Sequence, residues 1–117
     1  MDALNQQLEN LLTSLGLSEK EISVYLALSK LDKASVSAIS QAAGLNRTSS
    51  YHVLDRLTSL GLVKLIKGKT KEYYKIEPYD KIIFLAQKNL RVTKKRFTIA
   101  NSIMPQLKSL YEKSSKS

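Results

Sequence analysis

Residues 38–60 constrain this chain more than any other stretch. Ala38 to Ala43 reads as a short helix closed by Gly44, and Asn46 then caps a second helix with two unlike faces. Ser50, Val53, Leu54, Leu57 and Leu60 recur at helical spacing and can face a core. The opposite face offers Arg47, Thr48, Ser49, Tyr51, His52 and Arg56, side chains able to hydrogen-bond phosphates and base edges. A helix, a glycine turn and a second helix that opens on polar contact residues form the helix-turn-helix pattern, which points to DNA.

Charge agrees with that reading. The 117 residues carry a net charge of +9, but the first 46 hold −2 and the remainder +11. The positive part therefore begins at the candidate contact helix, and such asymmetry suits a polyanionic partner. Solubility alone is the plainer account of a basic chain. The length allows one small domain and an accessory helix. With no cysteine, a disulfide, a thiolate metal site and a cysteine nucleophile are ruled out, and a reducing cytoplasm fits. No apolar run reaches membrane-spanning length, and the first residues lack a basic region followed by an apolar one. The expectation is a cytoplasmic, nucleoid-associated chain without membrane partners.

Caps and turns mark the other elements. Leu4, Leu8, Leu11, Leu12 and Leu15 form one stripe, so residues 2–15 read as an amphipathic helix ended by Gly16. Ser18 and Glu21 form a capping box with Leu17 and Ile22 as its staple, and the helix behind it runs to about Leu31, burying Ile22, Tyr25, Leu26 and Leu28. Either Ser35 or Ser37 can cap the next helix; Ser37 is preferred because Val36 then takes the staple position. Ile39, Ala42 and Ala43 are its apolar contacts, and Leu45 turns into the core. Past Gly61, residues 62–66 and 71–76 read as strands around a turn at Lys67, Gly68, Lys69 and Thr70, giving a hairpin with a lysine-rich tip. One of Tyr73 and Tyr74 should turn inward against the first helix.

Beyond Pro78 one helical pattern persists. Ile83, Ala86, Leu90, Thr93, Phe97, Ala100, Met104, Leu107 and Tyr111 alternate three and four residues apart, a heptad seam that Ile82, Ile99, Ile103 and Leu110 widen. The surplus apolar surface asks for a partner, most simply a second copy. The leucines Leu4, Leu8 and Leu11 join that candidate dimer interface. Pro105 should kink the helix or end its regular part.

Several side chains admit two roles. Arg47 can read guanine bidentately or clamp a phosphate. Tyr51 can stack or donate to a phosphate, or pack at the rim of the wing. His52, the only histidine, has no second ligand for a metal, which leaves DNA contact or plain exposure. Lys67, Lys69, Thr70 and Lys71 are phosphate neighbours or a solvated hairpin tip. Ser35, Ser37 and Asn46 complete the DNA-contact set. Lys94, Lys95 and Arg96 form a basic cluster whose usual meaning is a solvated face. Catalysis finds no support: His52 lacks a matching carboxylate cluster, no phosphate-cradling glycine loop exists, and no cofactor is expected.

The stretch Leu15-Gly-Leu-Ser-Glu-Lys-Glu-Ile-Ser-Val-Tyr-Leu-Ala-Leu resembles the start of the DNA-binding domain of TrmB-like transcription regulators. So does Ala34-Ser-Val-Ser-Ala-Ile-Ser-Gln-Ala-Ala-Gly-Leu-Asn-Arg-Thr-Ser-Ser-Tyr-His-Val-Leu-Asp-Arg-Leu, which Leu60-Gly-Leu-Val continues; the likeness spans residues 15–78. The resemblance implies a dimeric, mostly archaeal type of regulator, with Arg47, Thr48, Ser49, Tyr51 and His52 facing DNA and the long helix after Pro78 serving dimerisation. Many members carry a sugar-binding domain after that helix, whereas this chain stops at Ser117, so no sugar effector is expected of it, as a short member or a fragment.

The resulting expectation is a mainly α chain with a small β-hairpin: a winged helix-turn-helix with an N-terminal helix and a long C-terminal coiled-coil helix. Its parts are an amphipathic helix at 1–16, the winged domain at 17–77, the dimerisation helix at 78–113 and a disordered tail at 114–117. Its expected partners are double-stranded DNA and itself, as a sequence-specific regulator. The competing readings are an architectural chromatin protein with little sequence preference and a winged-helix module that docks another protein.

Overall fold

Caps decide where the helices of this chain begin. The computed structural model describes residues 2–116, with side chains described for 3–114. Its elements are α1 (Asp2–Ser14), α2 (Glu19–Ser29), α3 (Val36–Ala43), α4 (Arg47–Ser59), β1 (Val63–Lys67), β2 (Glu72–Ile76) and α5 (Asp80–Lys116). At the head of α2 the Glu21 N–H donates to Ser18 Oγ at 3.2 Å, and the Ser18 N–H donates to Glu21 Oε1 at 2.8 Å. Both orphan donors are thereby satisfied, and such a cap contributes about 1 kcal/mol. Leu17 and Ile22 are both buried, as a staple requires. The helix ends at Ser29, before Leu31, with Lys30 as its C-cap.

The cap of α3 is Ser35, and Ser37 lies inside the first turn. Ser35 has the extended backbone of a cap (φ −71°, ψ 162°), and its Oγ accepts from the Ala38 N–H. The helix therefore starts two residues earlier than the staple argument put it, and Val36 becomes a buried helical residue. Gly44 ends α3 with φ 69° and ψ 32°, a left-handed conformation that costs a side-chain-bearing residue about 1–2 kcal/mol.

Leu12, Val24, Tyr25, Leu28, Ile39, Leu54, Leu57 and Leu62 form the centre of one core, with Leu8, Leu15, Leu26 and Leu45 half-buried around it. Strands β1 and β2 pair antiparallel, from Val63 opposite Ile76 to Lys67 opposite Glu72. Of the two adjacent tyrosines it is Tyr74 that is buried, while Tyr73 is half-buried. Strand β2 neighbours α2 and α3, and Tyr74 exchanges two backbone hydrogen bonds with Ala34, at 2.8 and 3.0 Å. That bridge fastens the hairpin to the residue just before the α3 cap.

The chain divides into two compact units, Met1–Leu85 and Ala86–Ser117. The first turn of α5 belongs to the first unit. Ile82 and Leu85 are buried in the core, so Ile82 does not widen an exposed seam as its spacing suggested. The second unit is a helix on its own. It is helical through Pro105 and on to Lys116, so the proline does not end the helix. Ser117 lies outside the described residues.

Candidate nucleic-acid interface

Helix α4 is held by one face and offered by the other. Asn46 Oδ1 accepts from the Ser49 N–H at 2.7 Å, so its side chain is engaged in capping. Ser50, Val53, Leu54 and Leu57 are buried. Ser50 Oγ donates to the Asn46 carbonyl at 2.9 Å and lies 2.7 Å from Ser40 Oγ on α3, which is also 2.7 Å from the Val36 carbonyl. Two small hydroxyl residues thus let α3 and α4 approach closely, and among the described residues no buried side-chain nitrogen or oxygen lacks a hydrogen-bond partner. Arg47, Thr48, Tyr51, His52 and Arg56 remain exposed, and Ser49 is half-buried.

Three contact candidates meet at the N-terminal turns of α3 and α4. An Arg47 Nη donates to Ser37 Oγ and another to Tyr51 Oη, each at 3.5 Å, and the guanidinium carbon lies 5.8 Å from the Tyr51 ring centroid. These are long contacts, enough to orient the arginine and easily exchanged for a phosphate. Ser35, Ser37, Arg47, Tyr51, Thr70 and Lys71 line one groove of about 580 Å³, together with Val36, Glu72 and Tyr74. The hairpin tip and the heads of two helices therefore share a concave surface. Lys67 and Lys69 are exposed on the hairpin outside that lining.

The tip geometry depends on Gly68. Its N–H donates to the Lys71 carbonyl at 2.8 Å, and a Cβ built there would stand 2.7 Å from that same oxygen. Any side chain would push the tip open.

Electrostatics add what the spacing did not reveal. Arg56 sits 3.9 Å from Glu21, tying α4 to the capping box of α2 and engaging a residue expected to face DNA. Burial pushes the Tyr74 hydroxyl above its ordinary value, and the negative Asp55 and Glu72 push it further, with Tyr51 adding the least. Tyr74 is also among the residues that line the groove. Burial also pushes Tyr25 up to about 12, with Tyr79 adding to it. Lys75 pairs with Asp32 at 3.4 Å on the surface, a contact of little energetic weight. Among the described residues no group of three or more His, Asp or Glu side chains could hold a metal ion, and no helix is long and apolar enough to cross a membrane.

The family described as "Sugar-specific transcriptional regulator TrmB" matches residues 11–79. No curated protein matches the sequence. A possible transcriptional regulator from Methanosarcina mazei Go1 superposes with a TM-score of 0.67 at 14% identity, covering 81% of this chain and 86% of that one. TrmBL2, described as an archaeal chromatin protein with a novel mode of DNA binding, gives 0.73 at 19% identity and covers 96% of this chain but 43% of its own. A homodimeric winged helix-turn-helix DNA-binding domain from Mycobacterium bovis gives 0.52 at 26% identity, covering 80% and 85%. The winged-helix fold is common to all three.

Proposed function

The chain belongs to the TrmB family of transcriptional regulators, and from that premise we propose that it binds specific sequences of duplex DNA as a homodimer. Helix α4 enters the major groove, and the β1–β2 wing follows the backbone. The observation that carries this reading is the shared groove, which gathers Arg47, Ser37, Tyr51, Thr70 and Lys71 beside the exposed face of α4. Phosphates line the edges of a groove and base edges its floor, so a polar helix face flanked by cations suits both. A regulator of this kind works where the chromosome is, in the cytoplasm.

The homodimer is supported by the second unit. Leu90, Phe97, Met104 and Tyr111 follow one another at seven-residue intervals, and each is at least half exposed. Such a seam finds cover in a second copy of the same helix, with the exposed Leu4 and Leu11 of α1 as additional apolar surface.

Arg47→Ala should weaken selected duplexes by about 1–3 kcal/mol and do so unequally between sequences. Lys69→Ala should weaken all duplexes alike and lower the salt slope by about one unit. Fluorescence anisotropy on selected and random duplexes at several salt concentrations separates the two effects. An Arg47/Lys69 double variant with unchanged affinity would reject the interface. Equal wild-type affinity for both classes of duplex would favour an architectural role; TrmBL2 is described as an archaeal chromatin protein.

A further inference from the structure

The exposed face of α4 carries an acid at its middle. At about 100° per residue, Thr48, His52, Asp55 and Ser59 fall within about 60° of one another, opposite the buried Ser50, Val53, Leu54 and Leu57. All four are exposed, whereas Arg47 and Arg56 stand at the two borders of the face. Asp55 is the sole acidic residue of α4, in a chain of net charge +9. It makes no ion pair or hydrogen bond with a described side chain, while Arg56 beside it pairs with Glu21 instead.

An acid placed there works against general DNA affinity. A phosphate repels it, and burying it in a groove without a donor is costly. A helix built for sequence-independent binding gains nothing from a carboxylate at this position. A helix that reads bases does, because the major groove also presents exocyclic amine donors: cytosine offers its N4 amine with no acceptor on the same base edge, whereas the N6 amine of adenine stands beside the N7 acceptor, which repels a carboxylate, so cytosine suits it best. Guanine presents only acceptors in the major groove, N7 and O6, and thymine presents the O4 acceptor and a methyl group. Thr48 and Asp55 are seven residues apart, about 10 Å along the axis, or about three base-pair steps. The stretch from Thr48 to Asp55 therefore spans a short run of bases, with Ser59 one turn beyond the acid.

We infer that Asp55 is a specificity-determining residue: its carboxylate accepts a hydrogen bond from the N4 amine of a cytosine and disfavours duplexes that present an acceptor at that step. The inference rests on α4 entering the major groove, as proposed above. Asp55 acts by contact with a base, and its second effect is to keep the affinity of the basic face for unselected DNA low.

The test uses the full chain and a duplex library with a randomised centre. Wild-type protein should select a C·G pair at one step, and Asp55→Ala should lose the preference at that step alone while binding random duplex more tightly. On the selected duplex, replacing that cytosine by 2-pyrimidinone, which lacks the amine, should cost the wild type about tenfold in affinity and cost Asp55→Ala almost nothing. Asp55→Asn, of nearly equal shape, should keep the wild-type thermal midpoint and lose the cytosine preference. Unchanged base preferences in Asp55→Ala, or an equal loss by both proteins on the amine-free duplex, would overturn the role of Asp55 while leaving groove binding intact. Wild-type protein with no salt-dependent affinity for any duplex would overturn groove binding and the inference together.

Discussion

Met1–Leu85 and the helix of 86–116 solve the problem of apolar surface in opposite ways. In the first unit the large apolar side chains find one another: Leu12, Leu28, Ile39, Leu54 and Leu57 are wholly inaccessible. In the second, Leu90, Phe97, Met104, Leu110 and Tyr111 are all more than half exposed. A helix gains little stability from backbone propensity alone and depends on packing one face. The contrast teaches that α4 and α5, both amphipathic by spacing, differ in where their partners come from. Helix α4 is mated by its own chain on one face and leaves a polar face exposed, while α5 beyond residue 85 leaves apolar side chains exposed.

The largest effect expected to sharpen this contrast is Leu54→Ala. It should destabilise the first unit by about 2–5 kcal/mol in urea unfolding, through lost burial and a cavity. Leu90→Ala, at a side chain 55% exposed, should cost less than about 0.5 kcal/mol in dilute protein. Equal losses would break the comparison.

A second probe is alkaline titration. Tyr25 is 1% exposed and its hydroxyl is pushed from 10 up to about 12, so the fold holds the neutral phenol and penalises the ionised one. Its contribution is complete below pH 10 and is lost as pH rises toward 12, on the order of 2–3 kcal/mol. Tyr25→Phe should flatten that part of the stability curve, as followed by circular dichroism.

What the sequence made legible, and what it did not, follows the range of the interaction. The capping box at Ser18 and Glu21, the Asn46 cap and the Gly44 turn are settled within four residues, and each stands where spacing put it. The hairpin strands lie within a residue of their expected limits for the same reason. The α3 cap was misplaced because Ser35 and Ser37 both carry the right oxygen, and only the backbone path after Ala34, fixed by its bridge to Tyr74, decides between them. Ile82 obeys the helical periodicity of α5 yet is buried in the first unit, a distinction that periodicity cannot make. Near the groove, the meeting of Arg47 and Tyr51, four residues apart, follows from helical spacing, whereas the contact of Arg47 with Ser37 crosses from α4 to α3. The engagement of Arg56 by Glu21 joins residues 35 positions apart, and the electrostatic influence of Asp55 on Tyr74 also crosses between elements; neither leaves a local trace.

Phe97→Asp tests the other half of the contrast. Sedimentation should shift from dimer to monomer with weaker duplex affinity, while the unfolding of the first unit stays within about 0.5 kcal/mol of wild type. Wild-type protein that sediments as a monomer at high micromolar concentration would refute the assignment of the seam. The smallest effect is expected from sugars. The cleft of about 540 Å³ in the first unit is walled by Leu4, Leu8, Leu26, Tyr79 and Ile82 together with Asn5, Glu9, Ser29 and Lys30, and most of its exposed wall is apolar, which suits a sugar poorly. Calorimetry with maltose, trehalose, sucrose or glucose should give no saturable heat; clear binding would point to a surface of different character.

The exposed seam of α5 has a consequence for dosage. If two copies must meet before that face is covered, the population of the paired form rises with the square of the free chain at low abundance. Occupancy of an operator then changes more steeply than expression does. Under that condition the cell's copy number of this regulator would be a signal in itself, read by a helix whose apolar side chains its own chain leaves uncovered.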